Sequence, residues 1–288
     1  MNSFVRSWRI FRRAGSLLLD RGALAAFPAV SFVLLSAVTL SAASVCFYLL
    51  DLSFSGGKVV ADDGREWTPG MIVCMLLICL VVSLTANFCN AAFYSEIFAC
   101  LKGEEKASLS RGFRFAAGRI LPLFLWSLLS DTVGLLLRMI SGRNGRAWIS
   151  RSLWYAWSVA SCFAIPVIVC DPALINPFRA LKHSASVINR TWGEALIGFA
   201  GLRILSGAGM AACALLVTWL WSGVRASSAS SLPLILTAGG GALLLGIFVY
   251  LVNAAETVYR ATLFLYAEEG IFPPGFDSDD LNNAFVRE

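Results

Sequence analysis

Six charged residues lie inside or at the ends of long apolar segments, where a charge needs a partner or a function. They are Glu96, Asp131, Arg138, Arg203, Glu256 and Arg260. A charge at the centre of a bilayer costs about 2.5 to 3.5 kcal/mol on insertion scales. Glu256 and Arg260 are four residues apart, which places them on one helix face. We expect an ion pair there, and Glu96 joins it if the ends of the second and last segments pack together.

Asp131 interrupts the third apolar segment and is the deepest acid of this set. An ionised carboxylate that leaves water needs a compensating charge or hydrogen-bond donors. The favoured interpretation is a buried tether between two helices, with Arg138 or Arg203 as its partner. The alternative is an ion or proton site.

Residues for enzymatic chemistry are scarce. Acyl or phosphoryl transfer needs a positioned nucleophile and base, or a metal cage. The chain has one histidine, His183, and its eight cysteines lie in apolar runs without a C-x-x-C spacing. We therefore expect no enzyme activity, no metal site and no cofactor. A cavity on which Asp171, Glu194 and His183 converge would favour an enzyme.

The elements that position these residues belong in a membrane. The chain has 288 residues, of which 58% are hydrophobic and 14% are charged, and its mean hydropathy is +0.73. Soluble domains are about 45 to 50% apolar and about 25% charged. Nearly half of the charge that covers a soluble surface is missing, so the composition excludes a soluble domain and predicts a polytopic membrane protein.

Six apolar segments are long enough to cross a bilayer, because about 20 helical residues at 1.5 Å each span the hydrocarbon core. These segments lack the alternation of barrel strands. The sequence predicts an all-α transmembrane helical bundle, a single domain over residues 1–270 followed by a short cytoplasmic tail over 271–288. The six predicted spans cover about residues 22–50, 67–101, 118–139, 150–170, 195–224 and 232–266.

The distribution of Lys and Arg orients this bundle. Five of them precede the first span, five follow the second and three follow the fourth, whereas the loops on the other side carry two, three and one. Since positive residues favour the cytoplasmic side, we expect a multi-pass protein of the bacterial inner (cytoplasmic) membrane with both termini in the cytoplasm. Three arginines between spans three and four lie on the predicted outer side and so disagree with this orientation. The alternative for those two spans is a re-entrant pair of helices.

Each pair of spans follows a cytoplasmic segment with one apolar and one basic side. In the third, Asn176-Pro177 suits the N-cap and N1 positions of a helix. We expect three amphipathic elbow helices that lie in the membrane interface; the alternative is that each one only extends the next span. The apolar stripe of the third comprises Phe178, Leu181, Ala185, Ile188 and Trp192. The expected contacts to lipid head groups are Arg6, Arg9, Arg13, Arg111, Arg114, Arg179, Lys182 and Arg190.

Several segments together form a family pattern. They are Lys102-Gly103 to Arg111-Gly112-Phe113, Pro166-Val167-Ile168-Val169-Cys170-Asp171, Arg179-Ala180-Leu181-Lys182-His183-Ser184, Thr191-Trp192-Gly193-Glu194, and Arg260-Ala261-Thr262-Leu263-Phe264-Leu265-Tyr266-Ala267 with Gly275-Phe276. The chain resembles a family of bacterial six-span membrane proteins of undefined function, which is distantly similar to the membrane domain beside some glycerophosphoryl diester phosphodiesterases. The resemblance implies a helical membrane domain with an acid where Asp171 stands. It carries over no catalytic residue.

Two functions follow as hypotheses. The first is a non-enzymatic inner-membrane protein that organises lipids or partner proteins through its basic elbows. Its partners would be anionic membrane lipids and a second membrane protein or another copy of the chain, and no nucleic acid is expected. The alternative is a small transporter or channel that uses the intramembrane residues Asp131, Glu96, Glu256 and Arg260.

Overall fold

The structure is a computed structural model that describes residues 22–49, 53–55, 58–60, 69–103, 106–141, 147–190 and 231–270, together with six isolated positions. Nearly all of these residues are helical. The predicted fifth span, Arg203, the N-terminal arm with Arg6, Arg9 and Arg13, and the predicted tail 271–288 lie outside the described residues.

The elements follow one another as α1 (Gly22–Leu49), β1 (Ser53–Ser55), β2 (Lys58–Val60), α2 (Pro69–Leu101), α3 (Leu109–Gly118), α4 (Ile120–Ser141), α5 (Ala147–Ala160), α6 (Ala164–Cys170), α7 (Pro177–Arg190) and α8 (Ser231–Glu269). The strands β1 and β2 pair antiparallel, with Ser53 opposite Val60. Apart from this small hairpin, the elements of the described residues are helices, in agreement with the predicted helical fold class.

Four helical segments are long and apolar enough to cross a membrane. They are Gly22–Cys46, Ile72–Leu101, Ile120–Ile140 and Arg151–Cys170, and they match the first four predicted spans. The protein is therefore membrane-embedded, as its composition predicts. The sixth predicted span lies within α8, a helix of 39 residues.

The chain forms two compact units. One comprises Met1–Ala25, Ile97–Ala107 and Val187–Glu288, and the other comprises Ala26–Glu96 and Ser108–Ser186. They are called below the first and the second unit.

Successive long helices of the second unit run in opposite directions. Phe27 of α1 stacks on Phe93 of α2 at 5.7 Å between ring centroids, and further along α1 the Sγ of Cys46 lies 4.0 Å from the Sδ of Met75. From the first contact to the second, the residue number increases along α1 and decreases along α2, so the two helices are antiparallel.

The same test shows that α2, α4 and the pair α5–α6 also alternate in direction. Asn87 of α2 donates a hydrogen bond from Nδ2 to the Oγ of Ser127 at 2.8 Å, and Ser83 hydrogen-bonds Asp131 one turn further along α4. Trp126 of α4 stacks on Trp157 of α5 at 6.1 Å, and Arg119, next to the start of α4, donates to the carbonyl oxygen of Asp171, next to the end of α6. One end of the second unit thus carries Phe27, Glu96, Arg119 and Asp171, and it is called below the Arg119 end.

The fourth span is broken at Ser161–Phe163, between α5 and α6. Pro166 explains the break, because proline has no N–H to donate to the carbonyl of Cys162 four residues earlier. The backbone N–H of Phe163 instead donates to the Oγ of Ser184 on α7 at 3.0 Å. Both residues are fully buried. This bond therefore gives the backbone N–H at the break an acceptor and joins α7 to the span.

In the first unit, the C-terminal turns of α2 and α8 run parallel. Phe98 lies against Phe264 at 5.9 Å between ring centroids, and Lys102 donates from Nζ to Glu269 Oε1 at 2.6 Å. From the first contact to the second, the residue numbers increase along both helices, which therefore run in the same direction. Leu101 and Leu265 are buried in this unit, so its described core lies at the C-terminal ends of the two helices.

Candidate functional site

The candidate site is built on two short helices at the Arg119 end of the second unit, α3 and α7. Helix α3 ends at Gly118, and Arg119 leaves helical geometry before α4 begins at Ile120. Helix α7 begins after a loop that follows α6. Each helix carries basic residues for which the sequence predicts head-group contact, so their positioning decides whether those residues share a surface.

Helix α3 crosses α1 and α2 in close contact at Gly112. A Cβ atom at this position would lie 2.7 Å from the carbonyl oxygen of Ala92 and 2.7 Å from Cζ of Phe27. The next residue, Phe113, stacks on Phe27 at 5.7 Å and on Phe88 at 5.9 Å. Only glycine permits this approach, and the aromatic stack then fixes the rotation of α3.

Glu96 of α2 ties down the start of α3. Its Oε1 accepts a hydrogen bond from Arg111 Nε at 2.7 Å, and its Oε2 accepts from Arg111 Nη2 at 2.8 Å and from the backbone N–H of Ser108 at 2.7 Å. Ser108 is the N-cap residue of α3. The Glu96 side chain is 2% exposed and that of Arg111 is 46% exposed. A buried carboxylate thus receives a bidentate arginine fork and a backbone donor, which is a strong arrangement for charged groups.

Arg119 connects the α3–α4 turn to the loop after α6. Its Nη1 donates to the carbonyl oxygens of Asp171 at 3.3 Å and Pro172 at 2.5 Å, and its guanidinium lies 5.6 Å from the ring centroid of Phe115. The carboxylate of Asp171 accepts from the N–H of Ala173 at 2.9 Å. From the sequence, Asp171 is expected through the family resemblance and as one of three residues whose convergence would favour an enzyme, and Arg119 counts only as one of the five bases after the second span. In the structure Asp171 begins the loop that leads into α7, and Arg119 holds this loop from the α3–α4 turn.

The N-terminus of α7 is capped as the sequence predicts. The Oδ1 of Asn176 accepts a hydrogen bond from the N–H of Phe178 at 2.9 Å, and Pro177 is the first helical residue. This confirms the start of the helix, because an N-cap side chain satisfies one of the N–H groups that an α-helix leaves unpaired.

The buried face of α7 differs from the predicted apolar stripe. Ala180, Ser184, Val187 and Ile188 are buried. Phe178 is 64% exposed and Ala185 is exposed as well. At 100° per residue, most of the predicted stripe lies beside the buried face rather than on it. Small residues form the contact because they allow the close approach that brings Ser184 to the broken span.

Helices α3 and α7 share a four-residue sequence pattern that is not among the features predicted above. Arg111-Gly112-Phe113-Arg114 and Arg179-Ala180-Leu181-Lys182 have the same order of basic, small, apolar and basic residues. The small residue and the one four positions later are buried in both helices, as Gly112 with Ala116 and Ala180 with Ser184. Arg114, Arg179 and Lys182 are exposed. The i, i+4 spacing of small residues is the signal from which the contact face can be read.

The intramembrane candidates separate into different environments. Arg260 Nη2 donates to Glu256 Oε1 at 2.6 Å, which confirms the predicted i, i+4 pair. Asp131 is hydrogen-bonded by Ser83, whereas Arg138, one of its two predicted partners, is exposed. Among the described residues, no ion pair joins Asp131 to Arg138.

Of the three residues whose convergence would favour an enzyme, His183 and Asp171 belong to α7 and to the loop before it, and Glu194 lies outside the described residues. In the described ranges, no three His, Cys, Asp or Glu side chains lie close enough to hold a metal ion.

Comparison with known proteins gives one relation. A protein-family model described as a family of unknown function (DUF6159) matches residues 69–273. No curated protein and no solved structure matches the chain. The matched range contains both α3 and α7, together with the three long helices α2, α4 and α8.

Proposed function

Because the matched range covers more than half of its residues, the chain belongs to the DUF6159 family of unknown function, and we propose that it is a non-enzymatic membrane protein that binds anionic lipids through α3 and α7. In this proposal both helices lie along the membrane interface at the Arg119 end. The helices bind lipid head groups there. A partner protein or another copy of the chain then contacts either these lipids or the helices.

The exposed surface of α7 carries this proposal. Around the helix axis, the buried face is followed by an apolar sector with Phe178 and Ala185 and then by a polar sector with Arg179 and Lys182. Phe178 and Ala185 together form this exposed apolar sector between the buried face and the basic residues. A helix in the interface places such an apolar sector among the acyl chains and its basic sector at the phosphates.

Rigid attachment makes these bases effective. Helix α3 is held by Gly112 and Glu96, and α7 is held by the bond between Ser184 and Phe163. Charged side chains on a fixed helix lose less freedom when they bind than those on a free segment. Each base near an anionic surface contributes about 1 kcal/mol.

We infer the orientation in the membrane from the basic residues of the same surface. Arg114 and Arg119 belong to the group of five bases after the second span, and Arg179 and Lys182 to the three after the fourth. We place this end on the cytoplasmic side of a bacterial inner membrane, with six crossings and both termini in the cytoplasm. The parallel ends of α2 and α8 support an equal direction for the second and sixth crossings. The similarity to the membrane domain of glycerophosphoryl diester phosphodiesterases remains a prediction.

Binding of phosphatidylglycerol to the protein purified in detergent tests the proposal, with phosphatidylcholine as the neutral comparison. The double variant Arg179→Gln/Lys182→Gln should weaken phosphatidylglycerol binding roughly 10- to 30-fold, since two bases at about 1 kcal/mol each are lost. The matched control is Arg138→Gln/Arg151→Gln. It removes two exposed arginines of α4 and α5, at the end of the second unit opposite to the Arg119 end. Equal losses in the two double variants, or no preference for phosphatidylglycerol, would refute the assignment to α7.

A transporter or channel is the second candidate, and the polar residues between α2 and α4 favour it. Glu96, Glu256 and Arg260 form protein ion pairs, which leaves Asp131 as the acid best placed for a permeating ion. Flux into proteoliposomes that stays unchanged on Asp131→Asn would remove the basis of this candidate.

A further inference from the structure

We propose that the carboxyl group of Asp131 is a proton-binding site inside the membrane, which holds a proton while α2 and α4 are packed together. This inference is independent of lipid binding at α3 and α7. It rests on a set of polar residues between the two helices, called below the polar ladder, that comprises Ser83, Asn87, Ser127 and Asp131.

The polar ladder follows from helix geometry. Ser83 and Asn87 are four residues apart on α2, and Ser127 and Asp131 are four residues apart on α4, so each pair lies on one face. Because the helices are antiparallel, Asn87 meets Ser127 and Ser83 meets Asp131. Both contacts lie within segments long and apolar enough to cross the membrane.

The donors of the polar ladder satisfy only part of the Asp131 carboxyl group. Asn87 donates from Nδ2 to Ser127, and Ser127 donates in turn to the carbonyl oxygen of Leu123 at 2.9 Å. Ser83 is the donor that remains for Asp131. The Oδ2 atom is buried and has no hydrogen-bond partner among the described residues. An ionised carboxylate offers about four acceptor positions, so the ladder lacks the donors that an anion needs.

Among the described helices that pack against α4, none supplies a counter-charge to Asp131. Helices α2, α5 and α6 pack against α4. Their titratable and charged groups, with that of α4 itself, are Cys74, Cys79, Cys89, Tyr94, Glu96 and Cys100 on α2, Arg138 on α4, Arg151 and Tyr155 on α5 and Cys170 on α6. In the described part of the chain, none of these is ion-paired with Asp131. Glu96 is 13 residues along α2 from Ser83, a rise of about 20 Å.

A proton fits this environment better than a metal ion. Metal cations such as Ca²⁺ and Mg²⁺ take six or more oxygen ligands, whereas the Oγ of Ser127 is already engaged as donor and acceptor. A protonated carboxyl group is neutral and avoids the cost of about 2.5 to 3.5 kcal/mol for a mid-membrane charge. When α2 and α4 separate and water enters, the O–H bond breaks and the proton passes to water, which leaves a solvated carboxylate.

Infrared spectroscopy of the protein in lipid tests this site directly, because a protonated carboxyl group has a C=O stretch distinct from that of a carboxylate. The wild type at neutral pH should show this band, and Asp131→Asn should lose it. The control Asp171→Asn, in the loop at the Arg119 end, should keep it. Ser83→Ala should keep the band at a shifted frequency, because the carboxyl group loses a hydrogen-bond donor.

Thermal unfolding gives a second readout. If the folded protein holds a proton that the unfolded chain releases, its stability falls as pH rises, and Asp131→Asn should lack this contribution. Absence of the band from the wild type at neutral pH, or its survival in Asp131→Asn, would overturn the proposal. Loss of the band on addition of NaCl at constant pH would also overturn it and assign a sodium site instead.

Discussion

Replacement of Glu96 by glutamine should detach the start of α3 from α2. The carboxylate accepts three hydrogen bonds of 2.7 to 2.8 Å, two from Arg111 and one from the Ser108 N–H. Glutamine keeps the shape of the side chain but replaces one acceptor oxygen with an NH₂ group and removes the charge. A donor would then face a donor inside a buried site, because the Glu96 side chain is only 2% exposed.

The expected loss in the free energy of unfolding is about 3 kcal/mol. Removal of one partner of a buried ion pair costs about 3 to 5 kcal/mol. The lower figure applies because the Arg111 side chain is 46% exposed and can turn toward solvent or lipid head groups once Glu96 is neutral. The charge of Arg111 is therefore not left buried.

Unfolding in mixed micelles by increasing mole fractions of a denaturing detergent provides the measurement. The control is Glu269→Gln, which breaks the ion pair with Lys102 between side chains that are 43% and 35% exposed. Exposed pairs contribute about 0 to 1 kcal/mol, so this variant should lie near wild type. The double variant Glu96→Gln/Arg111→Gln should recover part of the loss. Equal costs for Glu96→Gln and Glu269→Gln, or strict additivity of Glu96→Gln and Arg111→Gln, would refute the reasoning.

Two further variants test how the short helices are attached. Gly112→Ala should destabilise the protein by about 1 to 3 kcal/mol, because the new methyl group meets the backbone oxygen of Ala92 at 2.7 Å; Gly118→Ala, at a position with open space around it, should change stability by less than about 0.5 kcal/mol. Ser184→Ala should cost about 1 to 3 kcal/mol, since a buried backbone N–H in the fourth span loses its acceptor, whereas Ser186→Ala breaks only a bond within its own helix. The same unfolding measurement serves both pairs, and a control that is as costly as its partner would contradict the packing of α3 or α7.

Much of the architecture could be predicted because the signals are local. A run of about 20 uncharged residues forms a helix in lipid whatever its neighbours are, since every backbone group must be paired within the segment. The first four predicted spans accordingly match helical segments long enough to cross a membrane. The Asn176 cap and the pair between Glu256 and Arg260 are local as well, because both depend on spacings of two to four residues.

The candidate site was harder to predict because its contacts join distant parts of the chain. The sequence makes a contact of Glu96 with Arg260 depend on the packing of two span ends, and it does not predict the pairing of Glu96 with Arg111, 15 residues later across a turn. The candidate partners of Asp131 from the sequence are Arg138 and Arg203; Arg203 lies outside the described residues, and the partner that the structure shows is Ser83. Hydropathy also gave no warning of the break at Ser161–Phe163, because Pro166 is itself compatible with an apolar span.

Hydrophobic length, capping and i, i+4 spacing act within a few turns of one helix, so they are enough to predict that the chain is helical and membrane-embedded, where its first four spans lie and where α7 begins. The buried face of α7, the contact of Glu96 with Arg111 and the contact of Asp131 with a serine become visible in the folded chain alone. Those outcomes depend on how closely two backbones approach, and that distance is set by small residues such as Gly112 and Ser184 together with the helices they contact.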